Sequence, residues 1–312
     1  LKIQRNTTYI TAPRQITALK LTQIIQNKTL NSNKEKLEAI IPAVVKINDK
    51  TILHTNYTDG KCNIIIPLTN LIGDNYKITI KTRQTPHHKQ AVCNINLTLN
   101  KRATYIISEN INSKCGEAVI INATVYDQIT NKPIEKIVNV AIKINNKTHH
   151  KNTTQKAHIL YQYKNNHENT YNITLISGEN SIYKMSTWNG KLQYQRSQLM
   201  IQTTNIKTTP NNKINIYARI LKGNKLVNTT VNVTIKINNK TITTQQIKNG
   251  IINYTYDLMG KYPANIHNIT IVAGDDALHN KSMVTSNLII EKEYVKIKMN
   301  YTIDGQKLKI KA

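Results

Sequence analysis

The sequence predicts an all-β protein built from repeated β-sandwich domains. Nearly the same hexapeptide stands at residues 46–51, 143–148 and 236–241, a spacing close to the size of one small domain. Apolar and polar residues alternate in the segments before it, which is the pattern of strands with one buried face. Turn signals recur about every 8 to 12 residues, whereas helical periodicity is hard to find. These three features together favour tandem sandwiches over a single mixed domain.

The hexapeptide reads KINDKT in its first copy and KINNKT in the other two. In the strand before the second copy, one face carries Val138, Val140, Ile142 and Ile144. The paired Asn, or Asn-Asp in the first copy, suits a two-residue hairpin turn, because both central positions of that turn need positive φ. We therefore expect a hairpin tip with a structural role and no ligand.

The repeats begin with short apolar strands about 96 residues apart. These strands are Tyr9-Ile10, Tyr105-Ile106, Met200-Ile201 and, opening a fourth unit that is cut short, Val295-Lys296-Ile297. The predicted domains are repeat 1 at 1–101, repeat 2 at 102–197, repeat 3 at 198–293 and the start of a fourth at 294–312. Because the chain starts and stops within repeats, we expect it to be a piece of a longer protein.

Each unit continues with further strands in a fixed order. A second strand carries apolar residues at alternate positions of 119–125 and 214–220, and Leu308, Ile310 and Ala312 repeat its beginning. After the hexapeptide we expect a loop, a glycine turn and another strand, at 63–68, 159–163 and 251–256. The motif Asn-x-Tyr follows at Tyr171, with Asn75-Tyr76 at that place in the first unit, and His267 stands in the place of the tyrosine in the third unit.

About seven short strands per unit are typical of an immunoglobulin-like sandwich. The predicted fold is therefore all-β, with tandem immunoglobulin-like β-sandwich domains of about seven strands each in an elongated array. One segment, 33–41, is rich in helix formers. Since Pro42 ends it and the other units place a strand there, we expect at most one turn of helix.

The order of these motifs carries a resemblance to a known family. The elements follow one another in a fixed order: an apolar strand, KINNKT, a glycine turn, a strand, the N-x-Y-x-I-T-I pattern, which is N-Y-K-I-T-I in Asn75–Ile80, and a turn such as SGEN at 177–180 or AGDD at 273–276. This order resembles the immunoglobulin-like repeats of adhesin-like surface proteins of methanogenic archaea, and through them the bacterial repeats of invasin and intimin. The resemblance implies an extracellular protein at the cell surface whose stacked sandwiches form a stalk or adhesive rod.

The charge of the chain is strongly positive. The formal net charge is +26, from 43 Lys and Arg against 17 Asp and Glu. Such a balance suggests an anionic partner such as a cell-wall polymer. The lysines are spread along the chain and mostly alternate with apolar residues, so the other explanation is a solvated face that protects strand edges from aggregation. Tyrosines such as Tyr161 and Tyr163 recur at a period of two, which favours a sandwich face over nucleic-acid binding.

The cysteine and histidine residues predict neither a disulfide framework nor a metal site. The three cysteines, Cys62, Cys93 and Cys115, are odd in number and occupy different places in the repeats, although a Cys62–Cys93 bridge stays an open alternative. Two histidine pairs, 87–88 and 149–150, fall in predicted loops without further ligands nearby. No cofactor is expected.

The sequence predicts no enzyme. The acids are scattered singly, and no phosphate loop or nucleophile elbow is present. Asp275 and Asp276 suggest a calcium site between domains, but the other repeats lack the pair. An isopeptide cross-link would need a buried acid, for which Glu117 is the candidate.

Candidate binding and modification sites are few. Fifteen Asn-x-Ser/Thr sequons occur, although alternation of Asn, Ile and Thr in strands also produces them without selection. The candidates for glycosylation are Asn146 and Asn239 on hairpin tips and Asn152 in a predicted loop. Trp188 is a candidate for stacking on a sugar, but its spacing of 96 from Val92 and Val284 favours a core or strand-edge residue.

We expect a non-catalytic stalk or adhesin segment that spaces or presents binding modules and is attached to the cell through regions outside this chain. Its expected partners are glycans or proteins on a host or neighbouring cell, with no nucleic acid among them. One alternative is a sandwich that itself binds a glycan or an anionic wall polymer. The other is an accessory module of a wall-degrading enzyme.

Overall fold

A computed structural model describes residues 4–18, 22–69 and 71–311. Every regular element in these ranges is a β-strand, and they contain no helix, hence none able to cross a membrane. The segment 33–41, for which at most one helical turn was expected, contains no helical turn. Leu30 and Lys36 instead form an isolated β-bridge, and Pro42 lies in the next strand.

Twenty-six of the strands form three sets of paired sheets in chain order. The first sandwich is formed by β1 (Tyr9–Thr11), β2 (Gln15–Ala18), β3 (Thr22–Leu30), β4 (Ile41–Ile47), β5 (Lys50–Tyr57), β6 (Lys61–Pro67), β7 (Asn75–Thr82) and β8 (Val92–Leu99). The second is formed by β9 (Thr104–Ser108), β10 (Ile111–Lys114), β11 (Ala118–Asp127), β12 (Lys132–Pro133), β13 (Asn139–Ile144), β14 (Lys147–Thr153), β15 (His158–Lys164), β16 (Asn169–Ser177) and β17 (Ser186–Gln195).

The third sandwich and a final hairpin complete the chain. The sandwich is formed by β18 (Met200–Thr203), β19 (Ile206–Thr208), β20 (Lys213–Lys222), β21 (Lys225–Leu226), β22 (Val231–Ile237), β23 (Lys240–Ile247), β24 (Ile251–Asp257), β25 (Ile266–Ala273) and β26 (Ser282–Ile290). The hairpin is β27 (Asn300–Asp304) with β28 (Lys307–Lys311).

The three sandwiches share one strand topology. Each has a small sheet, β1-β3-β6 in the first, and a five-stranded sheet, β2-β8-β7-β4-β5 in the first. The opening segment is split between the two sheets, since β1 pairs antiparallel with β3 while β2 pairs parallel with β8. The same split occurs at β18 and β19 in the third sandwich. This arrangement of two mainly antiparallel sheets is immunoglobulin-like.

Apolar side chains from both sheets fill the interior of the first and third sandwiches. In the first, Ile25 and Ile64 of the small sheet belong to the same buried cluster as Val45, Ile80 and Ile95 of the large sheet. The third sandwich repeats this arrangement. In strand β13, Val140, Ile142 and Ile144 are buried, as the alternation predicted.

Both turn residues of each hexapeptide have positive φ, so the prediction of a two-residue hairpin is confirmed. The φ angles are 46° and 66° at Asn48 and Asp49, 47° and 64° at Asn145 and Asn146, and 46° and 64° at Asn238 and Asn239. The expected loop after the hexapeptide was wrong, because β5, β14 and β23 begin directly at the turn. Each of these strands pairs on one side only and exposes most of its residues. Because few of their side chains are buried, their sequences lack the alternation of apolar and polar residues that marks a half-buried strand.

The first turn asparagine also bonds to the neighbouring strand. The Asn145 backbone N–H donates to Asn172 O at 2.9 Å, and the Asn172 N–H donates back to Asn145 Oδ1 at 2.9 Å. Asn48 makes the same pair with Lys77, and Asn238 makes it with Asn268. This reciprocal pair explains why a residue with a side-chain oxygen stands first in the turn of every copy.

The start of the fourth repeat differs from the prediction. Val295, Lys296 and Ile297 form no strand, and residues 291–299 have no regular structure. The described residues after 290 offer a single hairpin, without the other strands against which an opening strand pairs in the three sandwiches. Of the expected second strand, Leu308 and Ile310 lie in β28 and Ala312 lies outside the described residues.

Backbone contacts divide the chain into two compact units. The first comprises Leu1–Asn110, Ile120–Tyr161 and Tyr171–Lys191, and the second comprises Ile111–Val119, Gln162–Thr170 and Leu192–Ala312. The first sandwich lies within the first unit, and the third sandwich lies within the second. The domain boundaries proposed from the sequence at 101/102, 197/198 and 293/294 stay predictions.

The first sandwich buries polar groups that lack hydrogen-bond partners. The hydroxyl groups of Tyr57, Thr8 and Thr29 and the side-chain oxygen of Asn27 are buried without a partner among the described residues. Burial, with smaller effects from Cys62 and Cys93, raises the pKa of Tyr57 well above its ordinary value near 10. A buried hydroxyl without a partner costs free energy, so these groups weaken the sandwich.

Replacing Tyr57 by Phe is expected to stabilise the first sandwich by about 1 kcal/mol at neutral pH. Because burial raises the pKa of Tyr57 in the folded chain, the unfolded chain loses the tyrosine proton at lower pH than the folded chain does. The unaltered chain therefore keeps its full stability below the unfolded-state pKa and loses stability relative to the Phe variant as pH rises above it. Urea unfolding of both proteins at about pH 8 and about pH 11 measures this. A gap that does not widen at the higher pH would contradict the assignment.

Candidate functional site

In each sandwich, a loop residue before the last strand pairs with the segment that precedes the first strand. The parallel bridges are Asn6 to His88, Arg102 to Tyr183 and Ser197 to His279. Each loop position therefore carries an aromatic ring, and those of Tyr183 and His279 are buried. This recurring position contains the ionisable clusters closest to a catalytic pattern.

The third sandwich holds an acid, a histidine and a hydroxyl in sequence. Asp276 Oδ1 lies 2.9 Å from His279 Nδ1, and His279 Nε2 lies 3.1 Å from Thr229 Oγ1. A carboxylate only accepts, so Nδ1 donates to Asp276, and in the neutral imidazole Nε2 accepts from the Thr229 hydroxyl. The order matches that of a hydrolytic triad, in which the acid orients the base and the base activates the hydroxyl.

Comparison with the other two sandwiches shows that this network stabilises the loop before the last strand. Asp276 Oδ1 also accepts from the backbone N–H groups of Leu278 and His279. In the second sandwich, Asn180 Oδ1 accepts from the N–H groups of Ile182 and Tyr183 without any acid or histidine. In the first sandwich, Thr85 Oγ1 accepts from the N–H of His88. The side chain before the ring therefore stabilises the loop in all three, which accounts for the Asp276–His279 contact.

Arg102 forms a buried ion pair that the sequence analysis did not identify. Its Nη1 lies 2.8 Å from Asp127 Oδ2, and its guanidinium carbon lies 5.0 Å from the ring centre of Tyr183. Burial raises the pKa of Tyr183. The two partners are distant in sequence and follow no local motif, so only the strand pairing brings them together.

Two sets of contacts join consecutive sandwiches. Within the first compact unit, Gly73 N–H donates to Ser181 O at 2.7 Å, and Lys101 pairs with Glu179. Within the second unit, Lys222 Nζ lies 2.6 Å from Glu117 Oε1. Both contacts therefore lie inside a single unit.

Side chains also pack closely where the second and third sandwiches meet. Leu278 packs against Gly116 so closely that a Cβ on the glycine would lie 3.1 Å from Leu278 Cδ2. Arg196 Nη1 lies 3.9 Å from Asp275 Oδ1 of the third sandwich, and its Nε lies 3.0 Å from Glu168 Oε2 of the second. The second junction thus combines an apolar contact with two ion pairs.

His267 takes over the role of the tyrosine that it replaces. In the first sandwich, the Tyr76 hydroxyl donates to Ile72 O and accepts from Ile72 N–H, which is the backbone clamp called a tyrosine corner. His267 Nε2 donates to Pro263 O at 2.8 Å, also four residues upstream, and its Nδ1 accepts from Asn238 Nδ2. The substitution therefore keeps the clamp, and adds a bond to the hairpin tip.

The glycosylation candidates are exposed, and one lies outside the predicted element. Asn146 and Asn239 stand at the hairpin tips as expected. Asn152 lies in strand β14 and not in a loop. By contrast, the sequon residue Asn27 is buried in β3, where a transferase cannot reach it in the folded chain.

Trp188 lies half-buried on β17, and its indole covers Gly190, where a Cβ would clash with the ring. The expected register with Val92 was wrong by one residue. Thr79 bonds to Asn94 in the first sandwich and Thr174 bonds to Asn189 in the second, so the position equivalent to Trp188 in the first sandwich is Cys93. Because β17 pairs with strands on both sides, Trp188 does not lie on an edge strand, and sugar stacking stays a proposal.

The residues that the sequence offered for metal binding, a disulfide and an isopeptide cross-link do not form such sites among the described residues. His149 and His150 lie in β14 rather than a loop, and the His150 ring stacks on Tyr161 at 4.8 Å. Among the described residues, no three His, Cys, Asp or Glu side chains are grouped closely enough to hold a metal. The cysteines are free thiols, so the Cys62–Cys93 bridge is absent. Glu117 is half exposed, which argues against the buried acid of an isopeptide site.

Comparison with known proteins gives structural similarities only. No family model and no curated protein matches the chain. The I9–I11 tandem of titin is 12% identical and covers 91% of this chain and 100% of its own, with a TM-score of 0.34. Titin domains A168–A170 are 11% identical, with coverages of 93% and 100% and a TM-score of 0.41. An adhesin that helps an Antarctic bacterium bind ice is 11% identical, with coverages of 96% and 77% and a TM-score of 0.28.

The Asp127→Ala variant is expected to lose about 3 kcal/mol of stability, because it leaves the Arg102 guanidinium, whose side chain is only 16% exposed, without its ion-pair partner. Lys101→Ala removes one partner of an exposed pair and should cost less than about 1 kcal/mol. Chemical denaturation of the two variants beside the unaltered chain measures both values. Similar losses in the two variants would show that the Arg102 pair is not the buried contact described.

Proposed function

We propose that this chain is a non-catalytic segment of an extracellular cell-surface protein, in which tandem sandwiches hold a binding module at a distance from the cell. The observation that carries the proposal is the way the sandwiches are joined. Residues 100–103 alone separate β8 from β9, and residues 196–199 alone separate β17 from β18. Linkers this short, together with the paired side chains described above, restrict bending between neighbours.

The motif order supports an adhesin-like role of the kind found in methanogenic archaea, with repeats of the invasin and intimin type. Exposed sequons at Asn146, Asn152 and Asn239 fit a protein that passes through a secretory route. The partners under this proposal are glycans or proteins of a host or neighbouring cell, which a module outside this chain would bind.

A second candidate function is direct binding of an anionic wall polymer. The net charge of +26 favours it, because a cationic surface attracts polyanions over long range. An accessory module of a wall-degrading enzyme is a third candidate, and a catalytic domain in the adjoining sequence would establish it.

Mechanical unfolding of the whole chain tests the spacing role. Pulled by its ends, the protein should unfold in three separate events, each releasing roughly 30 nm of chain, the length expected from about 96 residues. Single-molecule force spectroscopy measures the number of events and the length that each releases. The same traces test the predicted domain boundaries.

One control variant accompanies the experiment. Lys222→Ala removes one ion pair at the second junction and should leave the three released lengths unchanged. A single event that releases the whole chain would contradict independent sandwiches in series, and the proposed spacer would then be rejected.

A further inference from the structure

A groove of about 660 Å³ lies on the small sheet of the first sandwich, where β1 ends beside β3. Its described lining consists of Thr11, Ala12, Gln26, Asn27, Lys28, Lys61 and Asn63. The groove therefore offers two ammonium groups, the exposed amide side chains of Gln26 and Asn63 and a hydroxyl, and none of the lining residues carries a carboxylate. Its volume falls within the range of about 300–1,000 Å³ that is usual for small-ligand sites.

The exposed face of β3 and β6 orders these groups in three cross-strand rows. Lys28 stands opposite Lys61, and Gln26 stands opposite Asn63. The third row is formed by Ile24 and Ile65, which are 56% and 57% exposed. Positions two apart along a strand share a face, so cations, amides and aliphatic side chains follow one another along one surface.

The Lys28–Lys61 pair is unfavourable unless an anion is near. Like charges directly opposite each other destabilise a sheet, and the other sandwiches avoid them here. The Thr29 N–H donates to Gly60 O in the first sandwich, and the Ile220 N–H donates to Gly250 O in the third, so these two bonds mark equivalent positions. Lys28 and Lys61 therefore correspond to Arg219 and Ile251, which pair with each other in the third sandwich.

The second sandwich also lacks the pair of cations. There Thr124 Oγ1 lies 3.0 Å from His158 Nδ1 at the corresponding place, which is a hydrogen-bonded contact. At this row, two lysines face each other in the first sandwich alone of the three, and this is also the sandwich whose small sheet carries the groove.

Asn27 also borders the groove, but it lies on the buried face of β3 with Ile25 and Thr29. The same strand position carries the core residues Ala123 and Ala218 in the other sandwiches. The Asn27 side chain therefore belongs to the core and not to the exposed rows.

We propose that this groove binds an acidic saccharide that carries carboxylate groups. The carboxylate would lie between Lys28 and Lys61, the hydroxyl groups would bond to Gln26 and Asn63, and the carbon face of a sugar ring would cover Ile24 and Ile65 in the adjoining row. Ammonium–carboxylate hydrogen bonds are stronger than neutral ones, so the charged row supplies most of the affinity. This binding role goes beyond the spacing role and does not depend on it.

Titration of the whole chain with trigalacturonate, followed by calorimetry, tests the proposal. We expect a Kd between about 10 μM and about 1 mM, and at least about tenfold weaker binding of the neutral trigalactose. The double variant Lys28→Gln/Lys61→Gln should lose binding at least about tenfold, because it removes both cations and keeps the strand pairing. Thermal unfolding of the variant confirms that the sandwich is intact.

The matched control is Lys147→Gln/Lys240→Gln, which removes the same charge from exposed hairpin residues and should bind as the unaltered chain does. Equal losses in the two double variants would show attraction to the overall charge and would overturn the site. No binding of trigalacturonate at about 10 mM, or equal binding of trigalactose, would overturn it as well.

Discussion

The reciprocal hydrogen bonds of the first turn asparagine are the interaction on which each sandwich depends. At the tip of every hairpin, this residue takes positive φ and at the same time extends the ladder to the neighbouring strand. A glycine would allow the turn but would lose the side-chain bond, and an aspartate would keep the acceptor. Because a slip of one residue would move each buried side chain to the solvent face, a contact that fixes the register also fixes the core.

Comparison of the three copies separates structural roles from chemical ones. Asp276, Asn180 and Thr85 are different residues, yet each closes the same loop through backbone N–H groups. Similarly, His267 and Tyr76 clamp the backbone four residues upstream with different side chains. The other sandwiches carry no pair of lysines at the row of Lys28 and Lys61, which is why we propose a ligand at the groove beside it and none at the Asp276–His279 contact.

The sequence predicted the half-buried strands and the hairpin turns, because apolar alternation and turn residues are local patterns. Strands with one buried face, such as β13 and β22, and the positive φ of the tips followed from local patterns. Strand β14 was missed because its exposed residues show no apolar period, and the opening strand of the fourth unit was wrong because the strands that would pair with it are missing from the described residues. The Arg102–Asp127 pair and the groove depend on pairing between distant segments, which no local pattern contains.

Native-state hydrogen exchange tests the role of the tip asparagines most directly. The amides of Lys77, Asn172 and Asn268 donate to the turn side chains. The account predicts that all three exchange slowly, protected by about a thousandfold or more and at the rate at which their own sandwich opens. Exchange of these amides near the rate of an unfolded chain, while the core strands stay protected, would contradict it.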